Sequence, residues 1–445
     1  MSGSVVAHPT FREAARFWVR LGFISFGGPT GQIAIMHEEL VERRRWIGED
    51  RFLHALSYCM LLPGPEAQQL AIYIGWLLHG TPGGIFAGVT FVLPAFFLLL
   101  GLSWTYAAHG QLPAIAAVLD GLSAAVVGIV FAATIAIGRR TLRTRPMWVV
   151  AGVVFITIFI VGVPFPIVIL GAGAAGLLLG DVRPAWFPQR RDADETPVGT
   201  AAAQGRVRPS LRRTVRVLLV GLAVWWLPIA LVVGLTGVGS VYSQEALFFS
   251  QVAVVTFGGA YAVLAYVGRE VIARFGLTAG DVVAGLGLAE TTPGPLILVL
   301  EFLGFLAAYR NPGDLPPLAA GVLAATVTVW ATFAPCFLWI FLGAPSVERL
   351  RDHARLRAAL TTITAAVVGV VASLALTVAA VVLFDDVGTV EPFRVAIPVP
   401  HLASLDGFHA VVAAVTFVGM VRLGWNVVWI VLGSGGAGLL WSAVR

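Results

Sequence analysis

The chain has 445 residues, 58% of them hydrophobic and only 12% charged, and its net charge of +5 comes from arginine alone because no lysine is present. A soluble domain carries about twice that charged fraction, and the missing lysine excludes a Walker A phosphate loop and a Schiff base with retinal or pyridoxal phosphate. Apolar runs of about 18 residues or more recur along the whole length, continuous rather than alternating, which specifies an all-α polytopic membrane protein and not a β-barrel.

In chain order, the start MSGSVVAHPTFREAARF lacks a compact apolar core with a small-residue cleavage site and reads as a retained cytoplasmic end. Six spans are expected at about 17–36, 52–78, 84–106, 114–138, 147–162 and 164–180. An Arg-, Pro- and Gly-rich stretch, DVRPAWFPQRRDADETPVGTAAAQGRVRPSLRR, then reads as a disordered cytoplasmic linker. A further span at about 215–237 precedes six more, about thirteen in all. The expected organisation is an N-terminal membrane repeat (1–182), the linker (183–213), a linking helix (214–238) and a C-terminal membrane repeat (239–445).

The repeat is visible in ordered matches. SFGG at 25–28 matches TFGG at 256–259, Pro63-Gly64-Pro65 matches Pro293-Gly294-Pro295, and FVLPAF at 91–96 matches TFAPCF at 332–337. The run LDGLSAAVVGIVFAATIAI from Leu119 matches LTTITAAVVGVVASLALTV from Leu360, and IVILGAGAAGLLLG resembles WIVLGSGGAGLLWS near the C-terminus. Equivalent loops differ in charge. AAHGQLPA has no arginine where SVERLRDHARLR has four, and GRRTLRTR has four where FDDVGTVEPFR has one. Arginine-rich loops face the cytoplasm, so the halves are expected to be inverted, the linking helix supplying the flip. One loop resists this count. HEELVERRRWIGEDR (37–51) has four arginines and five acids yet falls outside, so it is either an amphipathic surface helix or flanked by re-entrant hairpins.

Two prolines around a glycine end one helix and start another. Inside hydrocarbon each orphaned N–H or C=O costs several kcal/mol, so such a break needs protein, water or a ligand. A lone Pro-Gly-Pro reads first as a packing kink. Matched breaks in inverted halves point instead to a transporter's binding site, whose half-helix N-termini suit an anion. FGGP at 26–29 and FGGA at 257–260 form a second pair of weak points.

With these motifs in hand, the segment RLGFISFGGPTGQIAIMHEELVERRRWIGEDRFLHALSYCMLLPGPEAQQLAIYIGWLLHGTPGGIFAGVTFVLPAF resembles the chromate ion transporter family. TFGGAYAVL and ETTPGPLILV carry the likeness into the second half. The resemblance implies a long, two-domain exporter conferring chromate resistance. Chromate as substrate follows from the likeness alone.

Arg20, seven residues before Gly27, is either an intramembrane substrate contact or a snorkelling end residue, and Gln251 holds the equivalent place. Expected substrate contacts also include Ser25, Gly27, Gly28, Gln32, Gly64 and Gln68, then Thr256, Gly258, Gly259, Thr291, Thr292 and Gly294. The threonines either donate to an oxyanion or cap the half-helix. Glu66 either complements the helix dipole or carries a coupling proton, and Glu290 and Glu301 are further proton candidates. His37 and His54 read as surface residues, and Cys59 and Cys336 as buried small hydrophobes rather than a disulfide. No metal or cofactor and no nucleic-acid partner is expected. The leading reading is a secondary transporter of chromate or a sulfate-like oxyanion in the cytoplasmic membrane, surrounded by lipid and a possible homodimer. An anion channel on the same scaffold is the alternative, and an enzyme would need a metal or nucleophile cluster that the sequence lacks.

Overall fold

A computed structural model describes residues 9–26, 28–60, 62–183, 186, 210–257, 259–344, 354–390 and 397–444. The first half holds α1 (Phe11–Ile24), α2 (Gly28–His37), a π-helical segment (Glu38–Arg43), α3 (Glu49–Cys59), α4 (Glu66–His109), α5 (Pro113–Thr141), α6 (Arg145–Phe159) and α7 (Phe165–Val182). After α8 (Leu211–Thr236), the second half holds α9 (Val241–Val255), α10 (Ala260–Phe275), α11 (Ala279–Thr291), α12 (Val299–Arg310) and α13 (Pro317–Gly343). It ends with α14 (Ala354–Leu383), α15 (Gly407–Arg422) and α16 (Val427–Val444). A small antiparallel pair, β1 (Val387–Val390) with β2 (Ile397–Pro400), sits between α14 and α15. Among the described residues six helices, α4, α5, α8, α13, α14 and α16, are long and apolar enough to cross a membrane, and α6, α7 and α15 are shorter apolar helices.

Local chemistry sets the helix starts. Thr10 and Glu13 form a capping box at α1, Thr278 and Asp281 form one at α11, and serine side chains cap α8 and α9. Between the short helices the chain turns at glycines with positive φ: 65° at Gly28, 123° at Gly64, 113° at Gly294 and 91° at Gly259. A side chain resists these angles, so the glycines permit turns too sharp for a continuous helix.

The stretches 17–36 and 52–78, expected as spans, instead double back on themselves. Tyr58 of α3 and Tyr73 of α4 have ring centroids 5.4 Å apart, whereas a straight helix would separate them by about 22 Å. Phe17 of α1 likewise meets Trp46, beyond α2, at 5.7 Å. The second half repeats the pattern. Phe248 of α9 lies 6.1 Å from Phe275 of α10, and Asp281 of α11 binds Arg310 of α12 at 2.7 and 2.9 Å. Four helix hairpins result, with tips at the FGG and PGP motifs.

Nor is α4 a single 44-residue rod, because His79 and Gly80 depart from helical geometry. A Cβ on Gly75 would strike the Gly83 carbonyl, although continuous helix would hold these residues about 12 Å apart. The first arm of α4 therefore turns back at 79–80 against the second. It matches the α12–α13 pair, where a Cβ on Gly321 would strike Phe305.

The halves interlock. α5 packs against α15 and α16 of the second half, while α14 packs against α6 and α7 of the first. Equivalent glycines make equivalent crossings, Gly128 against Ala413 and Thr416, and Gly369 against Ala151. Small residues let helix backbones approach closely where lipid provides no hydrophobic drive to associate. One apolar core accordingly mixes both halves, with Ala95, Val126 and Ile158 joined to Phe249, Leu286, Phe302 and Val367.

Candidate functional site

The four tips join in two pairs, each linking one half to the other. Gly64, in the first PGP, donates its N–H to the Thr256 carbonyl in the second TFGG at 2.8 Å. Gly294, in the second PGP, donates to the Ser25 carbonyl in the first SFGG, also at 2.8 Å. Each half thus gives the other the same bond. Gln32 adds a link of its own, its side-chain amide donating to the carbonyls of Ser25 at 3.2 Å and Gly294 at 2.5 Å. Gln69, which no motif singled out, donates to the Pro63 carbonyl at 2.7 Å.

These bonds leave an electrostatic bias. Each tip brings together the carbonyl end of one short helix and the N–H end of the next. Glycine N–H groups and the Gln32 amide satisfy the carbonyl ends of α1 and α9. The opening N–H groups of α2, α4, α10 and the short 3-10 turn Leu296–Leu298 have no acceptor within their own helices. Each tip therefore carries the partial positive start of a helix, and at the FGG tips the facing carbonyl ends are already occupied.

The hydroxyls do not add to this donor set. Ser25 donates to Leu21 O and Thr256 to Val252 O, both at 2.6 Å, while Thr291 donates to Leu288 O and Thr292 to Ala289 O. A hydroxyl that returns its proton to its own helix retains only acceptor capacity. Gln68 differs. It is fully buried in the first turn of α4, and neither its amide nitrogen nor its oxygen has a hydrogen-bond partner. Leaving a buried amide unpaired costs about 1–3 kcal/mol, and no group among the described residues offsets that cost here.

The remaining candidates spread outward. Gly28 and Gly259 form the FGG turns, while Gly27 and Gly258 lie outside the described residues. Glu66 is half-buried at the start of α4. Glu290 is buried and accepts a hydrogen bond from Tyr261, a residue sequence reasoning passed over. Glu301 is fully buried with no partner at either oxygen. Arg20 is on the exposed side of α1, away from the tips, and its charge acts on Glu39; Gln251 is exposed as well. His37 pairs with Glu49 at 2.6 Å and Glu42 at 3.3 Å on the surface loop. Burial disfavours the charge of Glu39 in that loop, but hydrogen bonds from Arg44 and Arg43 outweigh it and hold the carboxyl below its ordinary value. Cys59 and Cys336 are buried free thiols, and a Cβ on Gly64 would lie 2.8 Å from the Cys336 sulfur. Among the described residues no group of three or more His, Cys, Asp or Glu is arranged for a metal.

The model of the chromate transporter family matches the chain twice, at residues 12–177 and 243–439, one match in each half. The chain is 29% identical to a chromate transport protein of Pseudomonas aeruginosa over 439 residues, covering 96% of this chain and 91% of that one. It is 29% identical to a chromate transport protein of Cupriavidus metallidurans, covering 83% of each chain. It is 28% identical to a probable chromate transport protein of Synechococcus elongatus, covering 82% of this chain and 84% of the relative. No solved structure matches it. Two family matches spanning both sets of hairpins, together with relatives that align over most of its length, establish that this chain belongs to the chromate transporter family.

Proposed function

We propose that the chain is a secondary transporter that exports chromate, or a tetrahedral oxyanion of like charge, across the cytoplasmic membrane, and that the meeting point of the four tips is its substrate site. The reciprocal pair of tip bonds, which occupies carbonyls at the ends of α1 and α9 beside a buried Gln68 amide that has no partner, is the observation that carries this reading. Backbone N–H groups at helix starts bind oxyanions without needing a positive side chain. Chromate and sulfate share shape and charge, so this donor set suits both. The buried tips favour a carrier, which must close around its cargo, over a channel, which needs a continuous wet path.

The proposed topology has two inverted halves with nine crossings, made by the six long apolar helices and the three shorter ones. The hairpins α1–α2 and α3–α4 enter from one face, and α9–α10 and α11–α12 from the other. His79 bonds the Pro9 carbonyl at 3.0 Å, and Arg213 at the start of α8 bonds Phe341, which gathers those ends on one face. Tyr106 near the end of α4 bonds Asp281, and Tyr242 bonds the Pro312 carbonyl at 2.8 Å, which gathers the others opposite. The first face also holds Arg43, Arg44, Arg139, Arg140, Arg183, Arg212 and Arg213, and by the positive-inside rule is cytoplasmic. This arrangement explains the awkward loop at 37–51, which returns to the cytoplasmic face with its four arginines.

Expulsion of a dianion from a negative interior is favoured by about 2.3 kcal/mol per charge per 100 mV, or about 4.6 kcal/mol, a concentration ratio of about 2,000. Export thus needs no nucleotide hydrolysis and would confer resistance. Chromate efflux from proteoliposomes clamped at a series of potentials, without a pH gradient, tests the reading. The initial rate is expected to rise as the interior becomes more negative; a flat or falling rate would leave electroneutral exchange as the account.

A further inference from the structure

The two halves share a scaffold, but three buried positions that hold alanine in the first half hold polar residues in the second. Aligning Ser25 with Thr256 sets Ala14 opposite Glu245, and aligning Gly64 with Gly294 sets Ala71 opposite Glu301. Aligning the FVLPAF and TFAPCF motifs sets Ala87 opposite Thr328. All six residues are buried, the two glutamates and Thr328 completely. The surrounding contacts are similar but displaced by one residue, since this alignment sets Gly75 opposite Phe305 and Ile74 opposite Gly304. In the first half a Cβ on Gly75 would strike Ala87, and in the second a Cβ on Gly304 would strike Thr328 and lie 3.2 Å from Glu245 Oε2. Gly304 is one turn beyond Glu301 on α12, so both carboxyls lie along the same helix crossing.

The first half is an internal control. The same hairpin closes over three alanines there, so the fold does not require polar groups at these positions. In the second half Thr328 approaches Glu245 Oε2 at 3.5 Å, while Glu245 Oε1 and both oxygens of Glu301 have no partner. A fully buried carboxylate without donors or a counter-charge is costly, and inside a membrane such groups mark ion or proton paths. Nearby charges are already occupied. Asp281 holds Arg310 and accepts from Tyr106, Glu290 accepts from Tyr261, and Arg269 donates to the Ile158 carbonyl. Tyr242 on α9 donates to the Pro312 carbonyl at 2.8 Å. Farther along α4, α10 and α13 the ionisable groups are Glu66, Tyr73, His79, His109, Tyr266, Glu270, Arg274 and Cys336, with Tyr309 on α12 itself. Among the described residues no arginine forms an ion pair with Glu245 or Glu301.

We propose that Glu301, Glu245 and Thr328 form a proton-binding site separate from the oxyanion site, present only in the C-terminal half, and that its protonation is coupled to oxyanion transport. This rests on the transport reading for the coupling but not for the site. Glu301 lies nearer the tip, Glu245 nearer the face where α9 begins. A proton entering from that face passes Glu245 before Glu301, bound in each case as the carboxylic acid O–H and released again as H⁺.

The test uses the purified full-length protein. Infrared difference spectra should show a protonated-carboxyl band at neutral pH that weakens in Glu301→Gln and in Glu245→Gln. In proteoliposomes, the ratio of chromate flux with and without a pH gradient should fall at least tenfold toward unity in Glu301→Gln. The triple variant Glu245→Ala, Glu301→Ala, Thr328→Ala copies the first half; it should fold with an undiminished melting temperature and lose the same ratio. Absence of the band from the wild type, or an unchanged ratio in these variants, would overturn the proposal. A ratio that follows a sodium gradient instead would also overturn it, in favour of a cation site. A band present in a protein that moves no oxyanion would sink the transport reading and leave the proton site standing.

Discussion

The N-terminal and C-terminal tips are built on one plan and carry different chemistry. Each donates a glycine N–H to the other at 2.8 Å, and each turns at a glycine whose φ a side chain resists. Around the first PGP stand amides, Gln68 and Gln69, with Gln32 beside them; around the second stand Glu290, Thr291, Thr292 and, deeper, Glu301. Duplication accounts for the shared backbone. Glu66 also follows the first PGP but is only half-buried, so the copies differ in what they bury, amides on one side and carboxyls on the other. A dianion is repelled by carboxylates, so it gains from keeping its donors and the proton sites apart.

The largest effects should come from attacking the shared plan. Gly64→Leu and Gly294→Leu are each expected to lower chromate flux in proteoliposomes at least 100-fold while membrane insertion persists. They should not be equally severe. A Cβ on Gly64 meets the flexible end of Gln69 and the Cys336 sulfur, whereas on Gly294 it meets the Ala95 methyl at 2.5 Å, which has nowhere to go. Full activity in both variants would break the comparison at its base.

The next test sharpens the asymmetry. Gln68→Leu removes a charge-assisted donor, worth about 1.5–3 kcal/mol, so oxyanion affinity should fall about 10- to 150-fold. The equivalent residue of the second half is Leu298, and Leu298→Ala should change affinity less than threefold. Equal losses at the two positions would mean that the amide has no special part. The hydroxyls should matter less again. Because Ser25 and Thr256 return their protons to Leu21 and Val252, Ser25→Ala and Thr256→Val should each alter flux less than about fivefold. A large loss in either would make these hydroxyls oxyanion donors.

The smallest expected effect lies outside the membrane. Glu39 is held below its ordinary value by Arg44 and Arg43, so its contribution to the order of the 37–51 loop is complete above a pH of about 4.3. That contribution disappears as pH falls through the lower folded value. A nitroxide at Glu42 should therefore gain mobility on acidification below that pH, and Glu39→Gln should show the higher mobility at neutral pH. Mobility independent of both would remove the ion pairs from the account.

Much of the backbone plan was legible beforehand. Proline and glycine have few conformational options, so the four breaks and their pairing could be read from SFGG, TFGG and the two PGP motifs. The doubling back at 17–36 and 52–78 was not, because an apolar run of the right length looks the same whether it crosses or returns. The only sign was the arginine-rich loop between them. Gln68 was legible as a helix-start residue beside a break, but its lack of partners depends on packing from several helices. Glu245 escaped notice because Ser243 and Gln244 precede it and make VYSQEALFF look like a wet helix end. Its burial arises from contacts with α12 and α13, far away in sequence. Arg20 has the spacing of a site residue, but the helical period turns it to the exposed side of α1.

The central claim is that the tips of both halves make one oxyanion site. Equilibrium binding of chromate to the purified protein in lipid nanodiscs tests it most directly, with the wild type compared with Gly64→Ala and Gly294→Ala. The account predicts one chromate per wild-type chain and loss of that binding, by at least 100-fold in affinity, in each variant alone. Two independent sites in the wild type, or one variant that binds as tightly as the wild type, would contradict it.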